Sequence, residues 1–391
     1  MFCYLKRIKL EPDLCLRKGK WLKIKKIVFG ITSLTIGGAE RVLVDIINRL
    51  KDNYEITIFT LYSKGSFEKE IDKKINIVSL YNNSYDELSK IKRIIIPIKV
   101  LICGKFVYKK YLQDKFDVQV AFLEGPITRI FKYGKNIKKI VWIHNDISKV
   151  FGNDLKAKIK LKLDKNNYKK YDKLIFVSKD NKDRFNDLYK LKEIEKKQEI
   201  IYNYIDKDRI LKMSEVKIDD SIIDKKILSI IVVARLVKQK AIDRLIRIHK
   251  RLIEDGISHK IYIIGDGPEK EKLQELIKNL NVENSFILMG KKENPYPYIK
   301  KADFFALLSE FEGYGMVIEE AKILSKNIII TNTAAKEAIV DYSKKLILDN
   351  TENAIYNGLK KVLKKEIIFE NDKNYIKDDS VIEKIEAILN E

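Results

Sequence analysis

The stretch KIYIIGDGPEKEKLQELIKNLNVENSFILMG, residues 260–290, reads as strand, turn, helix and strand. KIYIIG (260–265) is a short apolar run that ends in a Gly-Asp-Gly-Pro turn. Residues 268–279 follow as a helix and SFILMG (285–290) as a second strand. A strand that returns through a helix to another strand is the unit of a parallel sheet. The same alternation extends outward on both sides. Toward the C-terminus come strands ADFFALLS (302–309), NIIIT (327–331) and KKLIL (344–348), with a helix over 315–324 and closing helices over 351–365 and 380–390. Toward the N-terminus come a helix over 241–255 and the strand KILSIIVVARL (226–236).

Before residue 226 the pattern loosens into a polar, acidic stretch, 206–225, which is the expected domain boundary. The first half then repeats the theme. KKIVFGI (25–31), EITIFTLY (55–62), KINIVSL (74–80), DVQVAFLE (117–124), KKIVWIH (138–144), KLIFVS (173–178) and EIIYN (199–203) read as strands. A Gly-Gly turn and a helix follow the first, and a basic, apolar helix over 87–112 is expected to break near Pro97. The expectation is α/β: two Rossmann-like, doubly wound domains, 1–205 and 206–375, facing across a cleft. Residues 376–391 are expected to form a C-terminal helix crossing back to the first domain. Such domains bind ligands at the carboxyl ends of their strands.

The bulk numbers fit a soluble protein, with 45% hydrophobic and 34% charged residues in 391. No apolar run approaches the roughly 20 residues that span a bilayer, and the start lacks the apolar core of a secretory signal. The expected location is therefore the cytoplasm. Cys3, Cys15 and Cys103 show no pattern of disulfides or zinc ligands, and the three histidines are far apart. Net charge is +22, of which +21 falls in residues 1–200 and +1 in the rest. A biased genome accounts for many lysines but not for that asymmetry, so an anionic partner is expected at the first half.

Four stretches carry candidate chemistry. In EFEGYGMVIEEA (310–321), seven residues separate Glu312 from Glu320, and Gly313-Tyr314-Gly315 opens a helix after a buried strand. A helix N-terminus offers N–H groups and partial positive charge to a phosphate, and glycines let backbone come close. A carboxylate at Glu320, on the first turns, is able to accept hydrogen bonds from both hydroxyls of a ribose. On spacing alone the stretch reads rather as a strand-to-helix corner with solvated acids. Arg235 and Lys240 follow a strand end, placed to clamp a diphosphate or simply to face water. Gly265 lies in the tight turn after 260–264, and Gly290 ends the strand 285–290. Gly37-Gly38 forms another strand-to-helix turn, too short for a dinucleotide fingerprint.

In their order and spacing, GGAERVLVDIINRL (37–50), ARLVKQKAIDRLI (234–246), IIGDGPEKEKLQEL (263–276), NPYPYIKKADFFALLSEFEGYGMVIEEA (294–321) and TNTAAKEAI (331–339) resemble glycosyltransferase family 4, of the GT-B fold. The resemblance runs from about residue 26 to the C-terminus and is most specific in the second half. It implies a retaining glycosyltransferase that needs no metal and no cofactor beyond its nucleotide-sugar substrate, expected to be UDP-linked. It implies that Arg235 and Lys240 hold the donor diphosphate and neutralise the leaving group, and that Glu320 grips the ribose. It further implies that Glu312 and the backbone of Gly313, Tyr314, Gly315, Met316 and Val317 read the sugar and its phosphate. Gly265 and Gly290 stand among the donor-binding positions. Gly38 would approach the diphosphate from the first domain, and His144 would contact the sugar near the reacting carbon. Tyr296, Tyr298 and Met316 are candidates to shape the donor pocket.

The sequence departs from the family at two points. Ala241 replaces the usual glycine after Lys240, and Ser325-Lys326-Asn327 replaces a turn with proline. A literal D-x-D, Asp206-Lys207-Asp208, falls in the interdomain stretch and is discounted as a metal site. The acceptor is expected to be a lipid-linked glycan or oligosaccharide of bacterial surface polysaccharide synthesis. The basic first domain would meet the inner face of an anionic membrane, through lysines interleaved with isoleucines between Lys90 and Lys110. Three rival classes are weighed, of which a catalytically silent scaffold is opposed by the presence of every clamp residue. A UDP-sugar epimerase shares the fold and is separated by looking for an epimer without acceptor. A nucleic-acid-binding protein fits the charge, yet no recognised motif or aromatic platform accompanies it, and no nucleic-acid partner is expected.

Overall fold

A computed structural model describes residues 14–17, 20–35, 37–85, 87–144, 155–219, 222–224, 226–370 and 380–391. The described residues up to Val177, with Lys182–Tyr204 and Lys384–Glu391, form one unit; Ser178–Asn181 and those within Ile205–Glu383 form a second.

In the first unit a short antiparallel pair, β1 (Leu14–Arg17) and β2 (Lys20–Lys23), precedes a parallel sheet. Its strands are β3 (Lys26–Ile31), β4 (Glu55–Tyr62), β5 (Asn76–Tyr81), β6 (Val118–Ala121), β7 (Lys138–Ile143), β8 (Lys173–Phe176) and β9 (Gln198–Ile200). They lie in the order β5-β4-β3-β6-β7-β8-β9. Five consecutive residues of β3 are buried, the mark of a strand covered on both faces. Helix α1 (Gly38–Leu50) returns from β3 to β4 and buries Val42, Leu43, Ile46, Ile47 and Leu50 at helical spacing. Helix α2 (Lys90–Tyr111) sets Ile96, Val100, Val107 and Tyr108 into a core with Ile127, Ile130 and Phe131 of helix α3 (Pro126–Phe131). The expected break at Pro97 is absent. Proline removes one N–H from the helical ladder, but buried Ile96 and Val100 hold the turns on both sides of it.

The second unit repeats the parallel plan with β10 (Ser229–Val233), β11 (Lys260–Ile264), β12 (Phe286–Gly290), β13 (Phe304–Leu307), β14 (Asn327–Thr331) and β15 (Lys345–Leu348). Their order is β12-β11-β10-β13-β14-β15, so the winding reverses between β10 and β13. At such a switch point the loops leaving two neighbouring strands diverge and leave a crevice at their carboxyl ends. The loops leaving β10 and β13 are those that hold Arg235–Lys240 and Glu310–Gly315.

Two stretches read from sequence as loose or peripheral have definite places. Within 206–225 a helix forms at Lys207–Ser214, and Asp206 caps it by accepting from the Arg209 N–H at 2.9 Å. The first acid of the literal D-x-D is thus a helix cap. The helix Ser380–Asn390 places its end in the first unit. There Lys25 Nζ donates to the carbonyls of Leu389 and Asn390, and Glu391 pairs with Lys173 at 3.1 Å. Lysines at a helix C-terminus satisfy its last carbonyls and oppose its dipole.

Candidate functional site

The β10 and β11 corners fit together because glycine stands where a side chain cannot. A Cβ on Gly265 would sit 1.8 Å from the Ala234 carbonyl oxygen, and Gly265 has φ +155°. Its N–H donates to the Gly290 carbonyl, whose own Cα faces open space. The Leu236 N–H donates to Asp266 and the Glu269 N–H to Leu236, so the Arg235 loop is stitched to its neighbour by backbone. Arg235 projects from that loop with an exposed side chain.

A second seam ties the same loop to the one leaving β13. The Glu310 N–H donates to the Gln239 carbonyl at 2.9 Å, and Gln239 Nε2 donates to the Phe311 carbonyl at 2.8 Å. Across this seam Lys240 Nζ pairs with Glu312 Oε1, and Ser309 Oγ donates to the same carboxylate oxygen at 2.6 Å. Lys240 and Glu312 stand 72 positions apart in sequence and are joined in space. The Glu312 carboxylate is nearly buried while the lysine keeps more of its surface open, 8% against 18%.

Gly315 turns the chain into the helix Met316–Ile323 with φ +74°, and no side chain caps the helix start. A left-handed residue here is cheap only for glycine. Behind the loop, Tyr314 OH donates to Glu319 Oε1 at 2.8 Å, and Lys322 Nζ reaches Glu319 and the Ala338 carbonyl. All three side chains are buried, so the Gly313–Gly315 corner is held from its inner side. Met316 and Val317 are half-buried at the helix start. Glu320 receives a hydrogen bond from Tyr296 OH at 3.2 Å, and Arg209 Nη1 approaches that hydroxyl at 3.5 Å. Arg209 lies on the helix that Asp206 caps.

The departure at residue 241 has a structural reading. Ala241 sits at φ +48°, ψ +39°, between the turn Lys238–Lys240 and the helix Ile242–Glu254. The conformation is the one glycine adopts freely, and here alanine bears it.

Gly38 and His144 lie in the first unit. Gly38 opens α1, whose start has no side-chain cap, and the Glu40 carboxyl in that first turn is pushed up by burial. His144 follows β7. Its N–H donates to Glu124 Oε1 at 2.6 Å, and its ring packs against Phe122 and Trp142. Nε2 is buried with no hydrogen-bond partner among the described residues. Burial pushes the imidazole down to about 3, so it is neutral near pH 7 and is not a cation there. Ser309, Gln239, Tyr296 and Arg209 are joined to these candidate residues and their loop by the hydrogen bonds described. Of these, sequence reading had singled out Tyr296 alone. Among the described residues no group of three or more His, Cys, Asp or Glu side chains is arranged to hold a metal ion.

The description Glycosyltransferase Family 4 matches residues 36–209, and Glycosyl transferases group 1 matches residues 213–379. The chain is 30% identical over 371 residues to N-acetylgalactosamine-N,N'-diacetylbacillosaminyl-diphospho-undecaprenol 4-alpha-N-acetylgalactosaminyltransferase of Campylobacter jejuni, covering 90% of this chain and 94% of that one. A second Campylobacter jejuni protein, a GalNAc-alpha-(1->4)-GalNAc-alpha-(1->3)-diNAcBac-PP-undecaprenol alpha-1,4-N-acetyl-D-galactosaminyltransferase, is 25% identical, with 90% and 91% covered. Among solved structures, Anabaena HepE in complex with UDP and glucose superposes with a TM-score of 0.67 at 16% identity, covering 88% and 90% of the two chains. That last likeness bears on the fold.

Proposed function

The chain belongs to the family 4, group 1 glycosyltransferases of GT-B fold, and from that premise we propose which transfer it performs. It moves a hexose or N-acetylhexosamine from a UDP-sugar to a glycan carried on a polyprenyl diphosphate, with retention of configuration and without a metal ion. The observation that carries this reading is the Lys240–Glu312 pair, assembled at the carboxyl ends of β10 and β13 beside exposed Arg235.

The chemistry follows from the residues. Arg235 and Lys240 supply positive charge where negative charge grows on the departing diphosphate, the role a magnesium ion plays in other transferases. Glu312 fixes the Lys240 ammonium, whose remaining N–H groups stay available to phosphate. Glu320, steered by Tyr296, accepts from the ribose hydroxyls. Neutral His144 meets the sugar from the first unit, and the leaving phosphate oxygen takes the acceptor's proton. The lipid-linked acceptor is supported by the undecaprenol named for both Campylobacter relatives. Surface polysaccharide synthesis (capsule, exopolysaccharide or lipopolysaccharide) is the setting proposed. Among the described residues no helix is long and apolar enough to cross a membrane. The enzyme is therefore proposed to reach its acceptor by peripheral contact of the basic first unit with the cytoplasmic face of an anionic bilayer.

A thermal-shift panel of UDP- and GDP-sugars, followed by transfer of labelled sugar to a prenyl-diphosphate-linked glycan, tests the reading. Stabilisation by UDP-sugars and product formation that survives EDTA is the expected result. Activity lost on chelation and restored by Mg²⁺ or Mn²⁺ would overturn the metal-independent mechanism.

A further inference from the structure

Three tyrosines gather at one edge of the first unit's sheet, at the carboxyl ends of its strands. Tyr62 ends β4, Tyr81 ends β5 directly beside it, and Tyr85 follows in the loop before α2. The Tyr62 and Tyr81 rings stack at 6.1 Å and 27°, and Tyr85 meets Tyr62 at 5.4 Å and 61°. Exposure rises outward through the set: Tyr62 is 2% exposed, Tyr81 is half-buried and Tyr85 is 37% exposed. Burial, with Tyr85 and Tyr81 close by, pushes the Tyr62 hydroxyl up to about 12, so it stays uncharged near neutral pH. Tyrosine rings offer a large, rigid contact area at little cost in side-chain entropy.

The backbone holds this cluster in place. Leu88 is buried in the same core as Tyr62, and its N–H donates to the Tyr85 carbonyl at 3.2 Å, which fixes the loop that carries Tyr85. The Ser63 N–H donates to the Tyr81 carbonyl. The Leu61 and Tyr62 N–H groups donate to the Thr32 carbonyl, in the loop that leads from β3 to the Gly37-Gly38 turn. A Cβ on Gly65 would lie 2.4 Å from the Leu34 backbone, so the loops leaving β3 and β4 are in direct contact. The same loops carry a polar pair. Glu87 accepts from the Ser84 N–H at 3.3 Å, and Lys64 Nζ stands 3.9 Å from the Glu87 carboxylate. Lys64 and Glu87 are both exposed.

An aromatic floor with a carboxylate and an ammonium in the loops that carry it has the chemistry of a sugar site. The C–H face of a pyranose is weakly positive and meets the negative face of an aromatic ring. Hydroxyls around the sugar donate to the carboxylate and accept from the ammonium. Nucleobases stack on tyrosine as well, but the phosphates between them would meet the Glu87 carboxylate. Position then selects which sugar. β5 lies two strand spacings from β3, about 10 Å. A reacting hydroxyl must come within about 3.5 Å of the carbon it attacks. With the donor diphosphate read at the Gly38 turn, a ring on the tyrosines is too far away to be the one that reacts.

We propose that Tyr81 and Tyr85 stack a pyranose of the acceptor glycan other than the one being extended, on the side nearer the lipid. The proposal rests on the reading of the chain as a transferase to a lipid-linked glycan. It gives the enzyme a measure of acceptor length, because a second sugar reaches the platform and a single sugar does not.

The test uses the full-length protein and prenyl-diphosphate-linked acceptors that carry one or two N-acetylgalactosamine units, the sugar in the names of both Campylobacter relatives. Wild type is expected to show the lower KM for the two-sugar acceptor. Tyr85→Ala is expected to raise that KM roughly 5–10-fold, with kcat and the one-sugar KM unchanged. Tyr85→Leu, which keeps apolar bulk but no ring, is expected to match it, and Tyr85→Phe to behave like wild type. Equal KM changes for both acceptors, or none for either, would overturn the platform. An effect of Tyr85→Phe as large as that of Tyr85→Ala would also overturn it and assign the role to the hydroxyl. A single-stranded oligonucleotide that binds wild type and not Tyr85→Ala would make a nucleobase the occupant. Calorimetric binding of the two acceptors without donor repeats the comparison with no need of turnover, and wild type that binds both equally or neither would overturn the proposal. The thermal shift with UDP is expected to be the same in wild type and Tyr85→Ala. A wild type that binds the acceptors with the expected preference, yet neither shifts with UDP nor transfers sugar, would remove the transferase reading and leave the platform standing.

Discussion

Two lysine–glutamate pairs flank one glycine corner, and they differ in almost everything but composition. Lys240 and Glu312 come from different loops and meet at the carboxyl end of the sheet. Lys322 and Glu319 come from one helical turn and are buried behind it, with Tyr314 and the Ala338 carbonyl completing the cluster. The first pair leaves its lysine partly open, and the second leaves neither side chain to solvent. A buried pair adds little stability over a well-packed apolar substitute, yet breaking it is costly because the survivor is an uncompensated charge. The difference separates the pair proposed to be the working one from a supporting one, which residue type and proximity to the motif do not.

The largest expected effect belongs to the supporting pair. Lys322→Ala should lower stability by about 3–5 kcal/mol, since Glu319 is left charged in the interior. Calorimetry checks it, and Lys322→Met/Glu319→Leu should recover much of the loss. Equal destabilisation by the single and double variants would erase the distinction drawn here.

The working pair should show the opposite signature. Lys240→Ala or Arg235→Ala should lower turnover by roughly 10²–10³-fold, as removal of a transition-state donor does elsewhere, with melting temperature nearly unchanged. Glu312→Gln should combine non-additively with Lys240→Ala in a double-mutant cycle, because the two side chains share one contact.

A third buried polar pair asks whether burial without charge behaves like burial with it. His249 Nδ1 and His259 Nε2 lie 2.8 Å apart in the second unit, and Ser285 Oγ meets His249 Nε2. Burial, and then His259, push His249 down to about 3 from 6.5. The unfolded chain therefore binds the extra proton first. The stability tied to the neutral imidazole is present above about pH 6.5 and is lost as pH falls toward 3. At pH 5 the loss is about 2 kcal/mol. Melting temperatures at pH 7.5 and 5 should diverge for wild type and less so for His249→Gln.

Glu320 and Glu312 sharpen the division within the site. Glu320→Gln should weaken binding of free UDP by about tenfold, on the scale of one hydrogen bond to a charged group. Glu312→Gln should act mainly on transfer, read as kcat against UDP affinity. The smallest effect is expected at Ala241. Glycine there relieves a left-handed alanine but frees the unfolded chain, a net gain of about 0.5 kcal/mol in stability.

The second unit was legible because its working residues sit in short runs at strand ends, where one stretch of sequence names several of them. Ser309, Gln239 and Arg209 escaped because their roles depend on partners 3, 72 and 87 positions away. Lys322 escaped because a lysine on a helix reads as solvated until its neighbours are known. Helix α2 was legible as basic and apolar but not as two-faced: apolar residues on opposite sides cancel each other's periodic signal, so no single face stands out. Pro97 misled for a local reason, since a proline's effect depends on what packs on either side of it.

The end of the helix Ser380–Asn390 has a bearing on how the protein is made. Ile385, Ile388 and Leu389 are buried, and Asn390 and Glu391 bind the first unit through Tyr54 and Lys173. The first unit is therefore completed by residues that follow the whole second unit in sequence. Until those residues are made, that unit waits without the side chains of Ile385, Ile388 and Leu389 in its interior. A chain cut after Tyr204 would remain in that waiting state, and Lys384–Glu391 act as its closing stitch.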